Sequence, residues 1–315
     1  MIIDTHFHAF PAKFLEMMPG ASKGDPRGVG FHPFSYEEYI GHLDKYGIDV
    51  GVLSNPAGAI EGGLNREKAK ELAQVCNDAY ADYCSHYPQR LKWLARIPLV
   101  DPDDAIEELH RCYRDLGAHG VILPTNIGGE KSLDDPEYRT FWAEAVGYDQ
   151  PVFLHPCNAP CDPRWHKFSL LQKLNWPADS SLAISRLVLS GIFDRHQTLK
   201  LIGSHLGGMT LMYLDRLNWV EGNIECSGIP EDHFKKLYFD IAGPVRAAAI
   251  RFVCDTVGVE HVLFGGDYPH GRGGQDDQFY PLAFKAMEEL KLSPAEKELI
   301  FSGNALRIFG FPRTK

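Results

Sequence analysis

Short runs of β-branched and apolar residues recur along this chain. Each is followed by a longer stretch whose apolar residues fall three or four positions apart. The runs at 1–4, 48–54, 91–97, 120–124, 152–155, 199–204, 237–241 and 262–264 read as strands. Helical spacing covers 65–87, where Leu72, Val75, Cys76, Ala79, Tyr80 and Tyr83 share a face. It returns over 102–116, with Asp103, Asp104, Glu107 and Glu108 near the positive end, and over 136–147, with Pro136 in the first turn. Further helical stretches span 180–193, 278–290 and the tail 294–309. Strands alternating with helices imply parallel strands joined by crossover helices. Eight such strands in 315 residues, against the roughly 250 residues typical of the architecture, predict an α/β fold: one (β/α)8 TIM barrel forming a single domain, 1–315. Loop insertions are expected after strand 1 (11–42) and after strand 5 (157–177). The rival is a doubly wound open sheet. Against it, no glycine-rich phosphate fingerprint follows the first strand.

Composition narrows the function. Hydrophobic residues make up 44% and charged residues 23%, the balance of a soluble globular chain. Lys plus Arg number 32 and Asp plus Glu 42, a net charge of −10. That excludes the basic footprint of a nucleic-acid binder and adhesion to an anionic membrane. The seven cysteines are odd in number and scattered, so no disulfide framework is expected. With no basic-then-apolar leader at the N-terminus and no run of about 20 apolar residues, a cytoplasmic location is expected.

The candidate chemistry lies at the strand ends, where barrels gather their catalytic groups. Strand 1 runs into Asp4-Thr5-His6-Phe7-His8, strand 5 ends in His155-Pro156, strand 6 in His205 within GSHLGG, and strand 8 in Asp267 within FGGDYP. Residues two apart on a strand point the same way, so His6 and His8 can reach one ion. Imidazoles with a carboxylate suit zinc or a similar divalent metal. A lone histidine at a strand end is as readily an ordinary core residue. The set is not, because its positions follow the barrel's own geometry.

DTHFH, FLHP, SHLGG and FGGDYP, in that order, resemble the amidohydrolase superfamily. More narrowly, they resemble its aminocarboxymuconate-semialdehyde decarboxylase-related branch. The resemblance runs from Met1 to Gly303-Asn304-Ala305 and implies a distorted (β/α)8 barrel. It implies His6, His8, His155 and Asp267 as metal ligands and His205 as a catalytic residue close to a metal-bound water, with Asp267 also taking a proton. Dinuclear members carry a carboxylated lysine at the end of strand 4. Here that strand ends Leu123-Pro124-Thr125-Asn126, and Lys131 lies further on as a solvated loop residue. One divalent ion per chain is therefore expected, zinc first and manganese as the alternative.

Four further residues are candidates for binding substrate. Arg216 stands eleven residues after His205. In similar decarboxylases an arginine at this separation approaches the neighbouring subunit's site and holds a carboxylate, which implies a homodimer; the bland alternative is a helix-surface salt bridge. His270 and Arg272 follow Asp267 in a glycine-rich loop beside the metal. Trp165, in the second insertion, could line a pocket for a flat conjugated substrate or simply pack on the barrel. The expected activity is a metal-dependent decarboxylase of an unsaturated or aromatic carboxylic acid. The alternative is a hydrolase of an ester, lactone or amide on the same scaffold, which the ligand set does not separate. The expected partner is a small-molecule carboxylate, with neither nucleic acid nor membrane.

Overall fold

The computed structural model describes residues 1–18, 33–56, 64–129, 131–157, 162–219, 224–243, 245–270 and 279–312. Among these, parallel strands follow one another in chain order. They are β1 (Ile3–His8), β2 (Val50–Ser54), β3 (Leu91–Trp93), β4 (Ala95–Arg96), β5 (Val121–Pro124), β6 (Val152–His155), β7 (Leu201–Gly203), β8 (Tyr238–Asp240) and β9 (Val262–Leu263). β3 and β4 share one strand position. β3 pairs with β2 and β4 with β5, so the run expected to be continuous over 91–97 is broken at Leu94. The eight positions close into a ring through β1: the Thr5 amide and hydroxyl donate to the Phe264 carbonyl at 3.0 and 2.9 Å, and the His8 amide to the Tyr268 carbonyl at 2.8 Å. This is the distorted (β/α)8 barrel that the strand count and the resemblance predict.

The strands alternate as their pattern requires. Ile3, Val50, Val52, Leu94, Ile122, Phe153, Ile202 and Leu263 form one buried cluster inside the barrel. The C-terminal helix Asn304–Phe309 closes it with Ala305, Ile308 and Phe309. The intervening residues, including Phe7, Leu53, Trp93, Val121, Leu123, Leu154, Phe239 and Phe264, pack outward under the helices. Two positions beyond the apolar interior layer the composition changes. Ser54 follows Val52, Arg96 follows Leu94, His155 follows Phe153, Ser204 follows Ile202, and all four are buried. A polar layer therefore lies on the apolar one at the carboxyl ends of the strands.

Three further elements differ from the sequence pattern. Strand 1 runs to His8, past its apolar opening, with every residue buried. It also carries a bulge: Asp4 pairs with Gly51 but Phe7 with Leu53, one residue more on β1 than on β2. The bulge lets both Ile3 and His6 face inward, although their spacing of three forbids this in a regular strand. In the first insertion, the helix Tyr36–Tyr46 is the crossover between β1 and β2, so the insertion is shorter than 11–42. It is capped by Ser35, whose hydroxyl accepts the Glu38 amide, and ends at Gly47 with φ 65°. The helix expected at 180–193 begins at Trp176 and ends at Leu189, and a short turn Ile192–Arg195 follows Gly191 at φ 74°. Among the described residues no helix is long and apolar enough to cross a membrane.

The break between β3 and β4 is held by a helix side chain. Asn77, buried in the helix Arg66–His86, accepts the Arg96 amide at 2.8 Å. Its Nδ2 donates to the Arg96 carbonyl at 2.9 Å and to Glu108 at 2.7 Å. It pairs with the strand much as a neighbouring strand would. Asn77→Ala should remove the bonds to the buried Arg96 amide and carbonyl, while Glu108 keeps Arg111, and destabilise the fold by about 2–4 kcal/mol, read as a lower urea midpoint.

Candidate metal and catalytic site

The polar layer gathers the residues marked at the strand ends. His6 rests on the apolar layer, its ring 5.1 Å from that of Phe153. Its ring lies 4.8 Å from His8, 5.2 Å from His155 and 4.7 Å from His205. His6 Nε2 is 3.1 Å from His8 Nε2 and 3.4 Å from Asp267 Oδ1, and His8 Nε2 is 3.2 Å from the same oxygen.

Each imidazole has its other nitrogen engaged. His6 Nδ1 donates to Asp240 at 2.9 Å, His155 Nδ1 to the Pro156 carbonyl at 2.9 Å and His205 Nδ1 to the Ala242 carbonyl at 3.2 Å. Ser54 donates its proton to the Phe7 carbonyl at 2.7 Å, so its oxygen accepts from His8 Nδ1 at 3.3 Å. A carbonyl or carboxylate only accepts, so Nδ1 carries the proton and the Nε2 lone pairs converge. His155 Nε2 and Asp267 Oδ1 are buried with no hydrogen-bond donor among the described residues.

That donor set fits a divalent cation. An ion about 2.0–2.2 Å from each ligand spaces neighbouring ligands about 3.0–3.5 Å apart, which the separations among His6, His8 and Asp267 match. The ligating atoms of His6, His155, His205 and Asp267 all lie within 4.8 Å of one another, as do those of His8, Asp267 and His270. The electrostatics agree. Burial raises Asp267, but the His6 and His8 rings beside its Oδ1 hold it well below the usual carboxylate range. Burial likewise raises Asp240, and His6 outweighs it to bring the carboxyl below its ordinary value. Burial lowers His6, but Asp240 and then Asp267 raise its pKa to about 10. Burial drives His8 down to about 3 and His155 well below neutrality. Two ionised carboxylates thus flank His6 and favour its cationic form, beside neutral His8 and His155 rings. A metal ion would displace the second His6 proton, the one on Nε2, and leave Nδ1–H on Asp240.

The backbone is strained where it presents these groups. His205, Leu206, Gly207 and Gly208 have φ of 51°, 58°, 69° and 67°, a left-handed turn directly after β7. A Cβ on Gly207 would meet the Phe239 ring at 2.5 Å, and one on Gly208 the Pro177 carbonyl at 2.2 Å, so both must be glycine. His205 and Leu206 bear a cost of about 1–2 kcal/mol each. The turn is secured by the His205 amide on Asp240 Oδ1 at 3.0 Å and the Gly207 amide on the Ser204 carbonyl at 2.9 Å. Asp267 also has positive φ, 61°, with its amide on the His6 carbonyl at 2.9 Å. Such outliers cluster at functional sites.

The remaining candidates divide. His270 joins the cluster, its ring 5.1 Å from His8. Trp165, half-buried in the segment Pro163–Ser169, and Arg216, exposed on the helix Leu214–Asn218, share no hydrogen bond, ion pair or ring contact with it. Arg272 lies outside the described residues. Lys131 pairs with Glu137 at 2.9 Å. At the end of β5, Thr125 and Asn126 bind the buried Asp179 instead of presenting a lysine.

Sequence reading missed two supports. Asp240, at the end of β8, binds His6 Nδ1 and the amides of His205 and Ala242. Its signal was available, since it ends a strand as His155 does, but no neighbouring motif marks it. Asp4 accepts the amides of His6 and Gly266 at 3.0 Å each and the Tyr280 hydroxyl, and so joins β1 to the loop bearing Asp267.

A family model described as amidohydrolase matches residues 3–311. The chain is 32% identical over 269 residues to gamma-resorcylate decarboxylase of Rhizobium sp. (strain MTP-10005), covering 76% of this chain and 82% of that protein. Among solved structures it resembles 2,6-dihydroxybenzoate decarboxylase from Rhizobium, with a TM-score of 0.85, 25% identity and 98% of each chain covered. It shares its fold with a dihydroxybenzoic acid decarboxylase from Polaromonas sp. JS666 holding manganese and an inhibitor, with a TM-score of 0.86, 23% identity, 99% of this chain and 98% of that one.

Asp240→Ala removes the acceptor that orients His6. It should weaken divalent-cation affinity by about 10- to 100-fold, measured by competition against a chromophoric chelator.

Proposed function

The chain belongs to the amidohydrolase family, and from that premise we propose that it is a metal-dependent decarboxylase of an aromatic or unsaturated carboxylic acid. The observation that carries this is the convergence of the Nε2 lone pairs with Asp267, each imidazole fixed through Nδ1. The gamma-resorcylate decarboxylase relative supports the reaction class.

In this reading His6, His8, His155 and Asp267 hold one divalent ion per chain. Zinc is the first expectation for three imidazoles and a carboxylate, and manganese, present in a structural neighbour, is the alternative. When bound, the ion supplies Lewis acidity toward the substrate's oxygens. The chain's own residues do the rest. His205, its ring held by Nδ1–H on the Ala242 carbonyl, takes up a proton at Nε2 and delivers it to the carbon bearing the carboxylate. The carbon–carbon bond breaks, its electron pair takes that proton, and carbon dioxide leaves. Asp267 Oδ2 lies on the Gly243 side with the His205 ring and can accept or return a proton there. His270 and Arg272, from the glycine-rich loop after Asp267, and Trp165, from the second insertion, are proposed to contact the substrate.

We assign residues 1–315 to one domain in the cytoplasm, where the described cysteines Cys76, Cys84, Cys112, Cys157, Cys226 and Cys254, all buried and none in a disulfide among the described residues, would stay reduced. We also propose a homodimer. Arg216 makes no ion pair among the described residues, and beside it Met212 and Trp219 are 73% and 75% exposed, an apolar surface suited to a second copy. Arg216 would then hold a carboxylate in its partner's site.

His6→Ala and His8→Ala should lose metal and activity together. His205→Ala should keep about one ion per chain and lose turnover by about 10²- to 10⁴-fold; a metal-free His205→Ala protein would make His205 a ligand instead. A panel of hydroxylated aromatic and muconic acids should release carbon dioxide, with a solvent deuteron placed at the vacated carbon. Cleavage of a lactone or amide with uptake of solvent oxygen, and no carbon dioxide from any acid, would establish the hydrolase. Mixing Arg216→Ala with His205→Ala chains should restore partial activity, since a mixed dimer holds one intact site. Subunit exchange without recovery would place Arg216 outside the site.

A further inference from the structure

A cavity of 360 Å³ opens beside His8, between the segment after β1 and the loop following β9. Its walls are largely aromatic, with Phe10, Phe34, Tyr39 and Tyr268 lining it together with His8. Phe7 fixes two of those rings from behind, stacking on Tyr39 at 3.5 Å and on Tyr268 at 5.2 Å. A cavity of this size with flat walls suits a ring-sized ligand.

One charged side chain of another kind also lines it. Glu38 sits in the first turn of the helix Tyr36–Tyr46, whose unpaired amides favour a negative charge. Its neighbour Glu37 is already engaged, accepting the Ser35 hydroxyl at 3.0 Å. The Glu38 carboxylate has no hydrogen bond or ion pair among the described residues. It shares a wall with the aromatic rings and with a residue of the candidate metal site.

We propose that Glu38 is a specificity-determining residue that accepts a hydrogen bond from a hydroxyl or amino substituent on the substrate ring and repels a second carboxylate. The proposal rests on the reading of the site as one for aromatic acids. An ionised carboxylate only accepts, so it rewards an O–H or N–H at that position. A second carboxylate there meets a like charge. The favoured substrate is thus a monocarboxylic acid with a donor substituent.

The test uses three probes that differ in one meta substituent: 3-hydroxybenzoate, 3-aminobenzoate and benzene-1,3-dicarboxylate. Binding to zinc-loaded protein is measured by calorimetry, independently of turnover. The wild type should bind the first two at least about tenfold more tightly than the third. Glu38→Gln should shrink that gap to about threefold or less, and Glu38→Lys should reverse the order. A dicarboxylate preference in the wild type, a ranking unmoved by either substitution, or no binding of any probe would overturn the assignment. Carbon dioxide release by the same proteins separates this from the reaction. The expected ranking with no decarboxylation of any acid would sink the decarboxylase and leave Glu38 in its role. Decarboxylation with a ranking indifferent to residue 38 would do the reverse.

Discussion

Asp240 is a carboxylate with no access to water, and a charge so placed is tolerated only with strong partners. It has three: His6 Nδ1 from β1, the His205 amide from the turn after β7, and the Ala242 amide beyond its own strand. Meeting that demand sets the His6 tautomer, the position of the His205 backbone and the seam between three strands. The hydrogen bond that steadies His6 also makes its opposite nitrogen a better donor to a cation. Asp4 does a similar service from the other side of β1, with one oxygen on two amides and the other on the Tyr280 hydroxyl.

Local strain is then tolerable. The left-handed turn at 205–208, the positive φ of Asp267 and the bulge in β1 are each unfavourable alone. All three lie where a buried carboxylate or a closing backbone bond fixes the chain. Glycine lowers the cost where it can: a Cβ at Gly265 would lie 2.8 Å from the His6 Cβ, and one at Gly266 within 2.3 Å of the Tyr280 ring. The two glycines before Asp267 let β9 and its loop close onto β1 tightly enough for Asp267 to reach both histidines.

Above this layer lie the connecting segments. The segment after β1 builds the aromatic cavity, and the loop carrying Tyr268 and His270 supplies its opposite wall. Chemistry and specificity are thus on different parts of the fold. In the proposed function the barrel's polar layer carries the chemistry, and the connections are placed to distinguish one substrate from another.

The sequence by itself determined the alternation of strands and helices, the strand ends that carry His155, His205 and Asp267, and the shared direction of His6 and His8. These are local facts. A period of two or of 3.6 is set by each residue's near neighbours, and a strand end is marked by where an apolar run stops. The tertiary structure alone decided what those side chains would meet. Asp240 lies 234 positions from His6, and Tyr280 lies 276 from Asp4. The strand Tyr238-Phe239-Asp240 shows an aspartate at a strand end, but not which imidazole it would orient. The bulge in β1, the break at Leu94 bridged by Asn77, and the placing of Glu38 in the wall beside His8 have the same origin. Each arises because closing a barrel forces distant strands into one register, and the side chains on the closed face must then satisfy one another.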